Sequence, residues 1–388
     1  MKKVLKYIDK PLFIVTCILF VVGLIMIFSA SNVTAYMKYA ASPYNYFIKQ
    51  GFFLLLGFII FLIMSQFNTK FYGLVSNVLM VAIISSLFAL LLVGKAKNKA
   101  VSWFDLGFFS FQPSEFAKVI SIIWMANYYE DKRDRLDSFW TAIFPVIVCG
   151  IIAILIFVQP DLGTTIIYGV IVALMFFSQP IPKVIKFKLV SLVLAFILGA
   201  GILLLASGRE VILERQLARF NYKRPCDRLL SDGNQVCNGY IAINNGGLWG
   251  KGLGNSTQKY LYLPEPYTDF IFTIMMEELG SVIGVIIILL YVFVLYRILM
   301  IGRRCYTNRG CAMCYGVSVY IFLHIAVNLL GIMGLMPMTG VPLPFMSYGG
   351  SFTICLIAAL TVVQRVSVET GIRNSLNEKN TSKKLKKA

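Results

Sequence analysis

The chain has 388 residues, of which 58% are hydrophobic and only 14% charged, and it carries a formal net charge of +18. A soluble domain has about 25% charged residues; here the deficit is filled by runs of Leu, Ile, Val and Phe about 20 residues long, the length that crosses a ~30 Å hydrocarbon core. That excludes a soluble enzyme. Without a stripe of basic and aromatic residues the excess charge does not read as nucleic-acid binding, and positive charge retained on one side of a membrane accounts for it.

In chain order, the first apolar run, Pro11 to Asn32, is too long for a signal-peptide core and lacks a cleavage site, so it reads as a membrane helix. Ten spans are predicted, at about 12–32, 46–66, 71–94, 114–128, 139–158, 161–181, 188–207, 270–296, 312–336 and 346–364. The fourth is short and carries Glu115 and Lys118. The sixth follows the fifth through Gln159, Pro160 and Asp161 alone, so those two should be antiparallel neighbours. The predicted fold is an all-α integral membrane protein. Lys and Arg crowd the segments on the side of the N-terminus, and the short loops opposite hold only Lys38, Lys95, Lys97 and Lys99; this bias places both termini in the cytoplasm. One polytopic membrane domain, 1–366, is expected, with a large outer loop at about 208–269 between spans seven and eight. A basic tail, 367–388, follows and is expected to be disordered, with anionic lipid as its simplest partner.

The chemistry-bearing residues gather near the outer ends of spans. A single His, His324, excludes a multi-histidine metal site. Asn245 and Gly252 break the phosphate-loop pattern around Lys251, which argues against ATP-driven pumping. Thr268 and Asp269 stand where the eighth span begins; a carboxylate there is either a helix cap or a reactive group. Glu115 and Lys118 are three apart on one helical face and can pair, and charges at membrane depth mark an interior cavity or pathway. Glu277 and Glu278 should face the interior too, along a proton or ion path or against neighbours. The run Gly340 to Ser351, with Pro342, Pro344 and Ser347-Tyr-Gly-Gly-Ser, is not regular helix, and such backbone at membrane depth lines protein or a wet cavity. Arg215, Arg219, Arg224, Lys251 and Lys259 in the outer loop suit an anion such as a pyrophosphate, or a solvated surface. Cys226 and Cys237, eleven apart in the same loop, are either a disulfide or free thiols. Cys305, Cys311 and Cys314 lack a fourth ligand and are not read as a zinc site.

Five runs then carry a resemblance: Phe111-Gln-Pro-Ser-Glu-Phe-Ala-Lys118, Gln159-Pro-Asp-Leu-Gly-Thr164, Gly250-Lys-Gly-Leu-Gly-Asn-Ser256, Leu263-Pro-Glu-Pro-Tyr-Thr-Asp-Phe-Ile-Phe272 and Leu343-Pro-Phe-Met-Ser-Tyr-Gly-Gly-Ser351. In this order, with the spans around them, they resemble the SEDS family (shape, elongation, division, sporulation), its division-type branch more than its elongation-type branch. The resemblance implies a peptidoglycan glycosyltransferase that polymerises lipid II at the outer face of the cytoplasmic membrane, with Asp269 as its essential acid. It implies a cavity to which Trp103, Glu115, Lys118, Glu265, Thr268, Ser347, Tyr348 and Ser351 contribute, with Arg215, Arg219 and Lys251 as sources of positive charge. No cofactor is required by this chemistry, with a divalent cation, Mg²⁺ or Mn²⁺, as the alternative source of charge. The implied partners are a class B penicillin-binding protein and other division proteins. Tyr267 stands where the family usually has His, His324 where Gln is common, Ser102 before the Trp where Arg is usual, and Asn244-Asn-Gly-Gly where Gly-Ser-Gly-Gly is typical. The competing classes are a lipid II flippase, which should carry polar residues through the full depth and an inverted repeat, a scaffold without chemistry, and an elongation-type polymerase with the same reaction.

Overall fold

The computed structural model describes residues 2–93, 102–105, 107, 109–193, 225–228, 233–260 and 262–385. Its elements in chain order are α1 (Lys2–Tyr7), α2 (Lys10–Tyr39), α3 (Asn45–Met64), α4 (Thr69–Val93), the two-residue strands β1 (Phe104–Asp105) and β2 (Ser110–Phe111), α5 (Pro113–Asp131), α6 (Phe139–Val158) and α7 (Leu162–Phe177). There follow α8 (183–193), α9 (Asn234–Gly246), α10 (Ile271–Arg304), α11 (Asn308–Ile332) and α12 (Gly350–Leu385).

Seven helices among the described residues are long and apolar enough to cross a membrane: α2, α3, α4, α6, α10, α11 and α12. Backbone polar groups in hydrocarbon must be satisfied within the segment, which is why these apolar runs are helices. The sixth predicted span is the shorter apolar α7, and the fourth is α5, whose Glu115 and Lys118 are buried among the other helices. Of the seventh predicted span, 188–207, only the beginning falls within the described residues. The protein is an all-α multi-pass membrane protein.

Local signals set the helix starts. Asp9 accepts from Leu12 N at 3.0 Å ahead of Pro11, Asp161 accepts from Thr164 N at 3.1 Å, and Thr307 accepts from Gly310 N at 3.1 Å, each satisfying an amide that the first turn leaves free. Pro113 opens α5, where its missing N–H costs nothing. Side-chain hydrogen bonds then tie helices together: Trp124 to Asn77 at 2.8 Å, Ser121 with Tyr168 at 2.7 Å, and Gln50 to Thr353 at 2.9 Å.

Both chain ends meet at one end of the bundle. Asp9 N donates to Gln364 Oε1 at 2.8 Å, Gln364 Nε2 donates to Asp9 O at 3.1 Å, and Ser367 Oγ donates to Tyr7 O at 3.1 Å. Arg297 pairs with Asp9. The last helix runs to Leu385, so the segment expected to be disordered continues α12 up to that residue; its Glu, Leu and Lys residues are strong helix formers, no Pro interrupts it, and its one glycine, Gly371, packs against the Tyr7 ring.

The fold departs furthest from a plain bundle at Gly280. Helix α10 breaks there, with φ 84° and ψ 168°. Met276 Sδ lies against Gly284, so close that a Cβ on that glycine would fall 2.1 Å from it. Eight residues of straight helix would separate the two by about 12 Å; the chain therefore folds back sharply at Gly280. The turn after α9 fills the gap. Lys251 N and Gly252 N donate to Glu277 O and Glu278 O at 3.0 and 2.9 Å, while Ser281 N and Val282 N donate to Gly247 O and Leu248 O at 3.0 and 3.2 Å. These four bonds replace those the break removes.

Candidate active site

Asp269 sits at the foot of the folded-back arm of α10. The helix begins at Ile271 with Phe270 as an unassisted cap, so the carboxylate is not spent on capping. Three consecutive carbonyls fix its backbone: Tyr267 O accepts from Tyr348 N at 2.9 Å, Thr268 O from Ser347 Oγ at 2.6 Å, and Asp269 O from Asn328 Nδ2 at 3.0 Å. Asn328 also donates to Val341 O at 2.9 Å. The α11–α12 loop thus grips residues 267 and 268, and Asn328 of α11 grips 269. Tyr267 adds an aromatic cluster with Tyr46 and Tyr348, at centroid distances of 4.4 and 5.9 Å.

The half-buried Asp269 carboxylate faces a cavity of about 880 Å³. Its pKa is raised to about 6, first by burial and then by the neighbouring charge of Glu265, against a lowering hydrogen bond from Thr268. The cavity wall also holds Trp103, Glu115, Asp161, Thr268, His324 and Tyr348, and an apolar side that includes Leu162, Ile166, Met336 and Met338. Trp103 reaches it from the residue before β1, and Asp161 from the cap of α7.

Below the cavity a buried chain joins α5 to α11. Glu115 Oε1 accepts from Lys118 Nζ at 2.8 Å, and Lys118 Nζ lies 2.9 Å from His324 Nε2. An ammonium only donates, so Nε2 is the acceptor and the proton resides on Nδ1, which lies 3.3 Å from Pro342 O. His324 is therefore the neutral Nδ1–H tautomer. Its ring stacks on Phe352 at 4.7 Å and meets Tyr320 edge-on at 4.8 Å. Glu115 Oε2 is buried with no protein partner among the described residues.

The structure brings together Asp269, Thr268, Trp103, Glu115 and Tyr348 at one cavity, with Lys118 bonded behind Glu115. Other expected residues do different work. Ser347 accepts from Leu343 N while holding Thr268, and Ser351 accepts from Gln112 N and donates to Ser110 O, so both hydroxyls bind backbone and lie outside the cavity wall. Glu265 lies outside the wall and acts on Asp269 through its charge. Lys251 is committed to Glu277 at 3.3 Å, away from the cavity. Arg215, Arg219 and Arg224 lie outside the described residues. Glu277 and Glu278 form no path: Glu277 accepts from Ser256, Thr257 and Gln258, and Glu278 from Ser29 and Lys259. Cys226 and Cys237 form a disulfide. Asp161 and His324 also line the cavity, beyond the residues the sequence assigns to it; the tight Gln159–Asp161 connection and the solitary imidazole within a span are the signals the sequence holds for them.

No group of three or more His, Cys, Asp or Glu side chains is arranged to hold a metal among the described residues. The site offers clustered carboxylates that accept hydrogen bonds from hydroxyl donors, one of them raised toward neutrality as a general base requires.

Comparison with known proteins places this geometry. Residues 10–372 match the FtsW/RodA/SpoVE family, described as cell cycle proteins. The probable peptidoglycan glycosyltransferase FtsW of Bacillus subtilis is 36% identical over 378 residues, covering 95% of this chain and 92% of its own length. The stage V sporulation protein E of the same organism is 34% identical over 364 residues, covering 92% and 96%. Among solved structures, a chain of a peptidoglycan synthase complex superposes with TM-score 0.74 at 24% identity, covering 94% of this chain and 98% of that one. The rod shape determining protein RodA of Thermus thermophilus superposes with TM-score 0.65 at 24% identity, covering 93% and 96%. The chain belongs to the FtsW/RodA/SpoVE family.

Proposed function

We propose that this chain is a peptidoglycan glycosyltransferase of the division type, polymerising lipid II at the outer face of the cytoplasmic membrane with both termini in the cytoplasm. The observation that carries the reading is Asp269, a carboxylate gripped through three consecutive carbonyls and presented to a cavity whose other acids face it. The relatives named as probable peptidoglycan glycosyltransferases support the reaction class.

In the proposed reaction Asp269 takes the proton from the 4-hydroxyl of the acceptor's GlcNAc as that oxygen attacks the anomeric carbon of the donor glycan. The carbon inverts, its bond to the pyrophosphate oxygen breaks, and undecaprenyl pyrophosphate leaves with the electron pair. The leaving group needs charge neutralisation, not protonation. Glu115, Asp161 and Asp269 suit sugar hydroxyls and repel phosphate, so the positive charge that meets the leaving pyrophosphate must come from groups other than this acidic wall. With Lys251 committed to Glu277, Arg215 and Arg219 are the proposed sources of charge. A divalent cation would enter with the pyrophosphate that chelates it, since the described acids form no ligand set for one. A class B penicillin-binding protein is the proposed partner, in keeping with the synthase complex from which the superposing chain comes.

The test is polymerisation of lipid II by the chain with its cognate penicillin-binding protein. Wild type should give glycan ladders, and Asp269→Asn should lower the rate by at least about 100-fold, the usual size of a general-base contribution. Equal ladders from both would remove Asp269 from the chemistry. No ladders from an intact wild-type complex would favour lipid II movement without polymerisation.

A further inference from the structure

The turn between α9 and the 255–260 segment exposes apolar side chains at a level the backbone fixes. Leu248, Trp249 and Leu253 are 65%, 81% and 54% exposed. Four backbone bonds lock this turn to the break at Gly280, so its depth is that of Gly280. From Ser281 to Arg304 the second arm of α10 is about 36 Å long at 1.5 Å per residue, and its far end carries Arg303 and Arg304. The antiparallel neighbour α11, Asn308–Ile332, is about 37 Å long. Each slightly exceeds the ~30 Å hydrocarbon core. Gly280 and the turn therefore lie at the membrane boundary on the side away from the chain ends.

The occupant of the exposed face follows from what adjoins it. Leu248 O is bonded to Val282 N, and Val282 begins a stripe of exposed apolar residues down α10: Val285, Ile286, Leu289, Val292 and Tyr296. Their i, i+3, i+4, i+7 spacing is one helical face, and on a membrane-crossing arm a face of that kind meets lipid. The turn continues that face at the depth where Trp is enriched, with the indole body in acyl chain and the N–H among headgroups.

We infer that the 247–253 turn is a membrane anchor, with Leu248, Trp249 and Leu253 inserted into the leaflet on the side away from the termini. Glu277 accepts from the Ser256 hydroxyl and from the backbone N–H groups of Thr257 and Gln258, and the folded-back arm runs from Gly280 to Asp269. The anchor thus sets the level of the cavity relative to the leaflet. It does not depend on the reaction proposed above.

The experiment uses the full chain in nanodiscs of ordinary lipid or of lipid brominated near the headgroup end of its acyl chains. The emission of Trp249→Phe, a mild change at an exposed position, is subtracted from that of wild type to isolate Trp249. Bromolipid should remove most of this difference emission, and aqueous iodide should leave it nearly unchanged. Quenching by iodide instead would place the ring in water and overturn the anchor. Quenching by neither would mean that protein covers it, and would overturn it equally.

Discussion

At Asp269, burial beside Glu265 holds the carboxyl protonated to about pH 6. As a base it must be ionised, so kcat/KM for polymerisation should rise as pH passes 6 and level above it. Glu265→Gln removes the smaller of the two raising causes and should move this limb to lower pH; a limb that stays fixed would show that Glu265 has no hold on the base. Stability runs the opposite way. The folded chain binds the proton more tightly than the unfolded chain, whose Asp titrates near 3.8, so this stabilisation is complete below about pH 4 and lost as pH rises through 6. Asp269→Asn should therefore raise the unfolding temperature at pH 7.5, by an equivalent of roughly 1–3 kcal/mol, and lose the gain by pH 4. At His324 the ring accepts from Lys118 and donates toward Pro342. Gln offers an acceptor and a donor and should keep turnover within a few-fold. Leu strips both, leaves buried groups short by about 1–3 kcal/mol, and should cut turnover roughly 5- to 100-fold; equal activity of the two variants would deny His324 a positioning role. Asp269 was legible in the sequence because it stands at a span boundary within a recognisable run. The work of Ser347 and Ser351 was not, since a hydroxyl bonded to a distant carbonyl looks the same in sequence as one that faces a ligand.

Helix α10 shows how an element escapes a hydropathy reading. Spans eight to ten were legible because 20 apolar residues have few alternatives in lipid. The reversal at Gly280 was hidden inside one of them, because its cause is a loop more than twenty residues upstream that supplies the missing backbone partners. For the same reason the sequence leaves a path and bonding to neighbours both open for the acids at 277 and 278: their partners Ser256, Thr257, Lys259 and Ser29 are far away in sequence. Gly280→Ala tests the arrangement. The residue sits at φ 84°, and a Cβ there would fall 2.3 Å from Leu248 O. The conformation alone costs a side chain about 1–3 kcal/mol, and the clash with fixed backbone adds to it, so the unfolding temperature in detergent should drop sharply. Gly51→Ala, in α3 with open space around its Cβ, should be neutral or raise it, since Ala is the better helix former. Equal effects from the two would mean that the turn does not depend on Gly280.

For the whole molecule, the bundle is closed at the end that holds both termini by α12, beyond the point where its apolar sequence stops. Arg365 Nη1 donates to Ser65 O at 2.9 Å, and Glu369 accepts from Thr69 N and Thr69 Oγ1 at 2.7 and 2.8 Å and from Arg365 Nε at 3.1 Å. The α3–α4 connection is thereby fastened to the last helix, as α1 is through Ser367 and the close fit of Gly371 against the Tyr7 ring. The sequence places a boundary at residue 366, because composition registers where apolar residues end but not where polar ones find partners. The useful division lies further on. A chain ending at Asn377 lacks the Lys-rich segment and keeps every contact named here, so its unfolding temperature should match that of the full chain. Glu369→Ala leaves the full length intact but deprives Thr69 and Arg365 of their shared acceptor, about 1–3 kcal/mol of lost bonding, and should lower it. If the truncation destabilised the protein and the substitution did not, the closing of this end would have to be reassigned from the Arg365–Glu369 network to the terminal turns of α12.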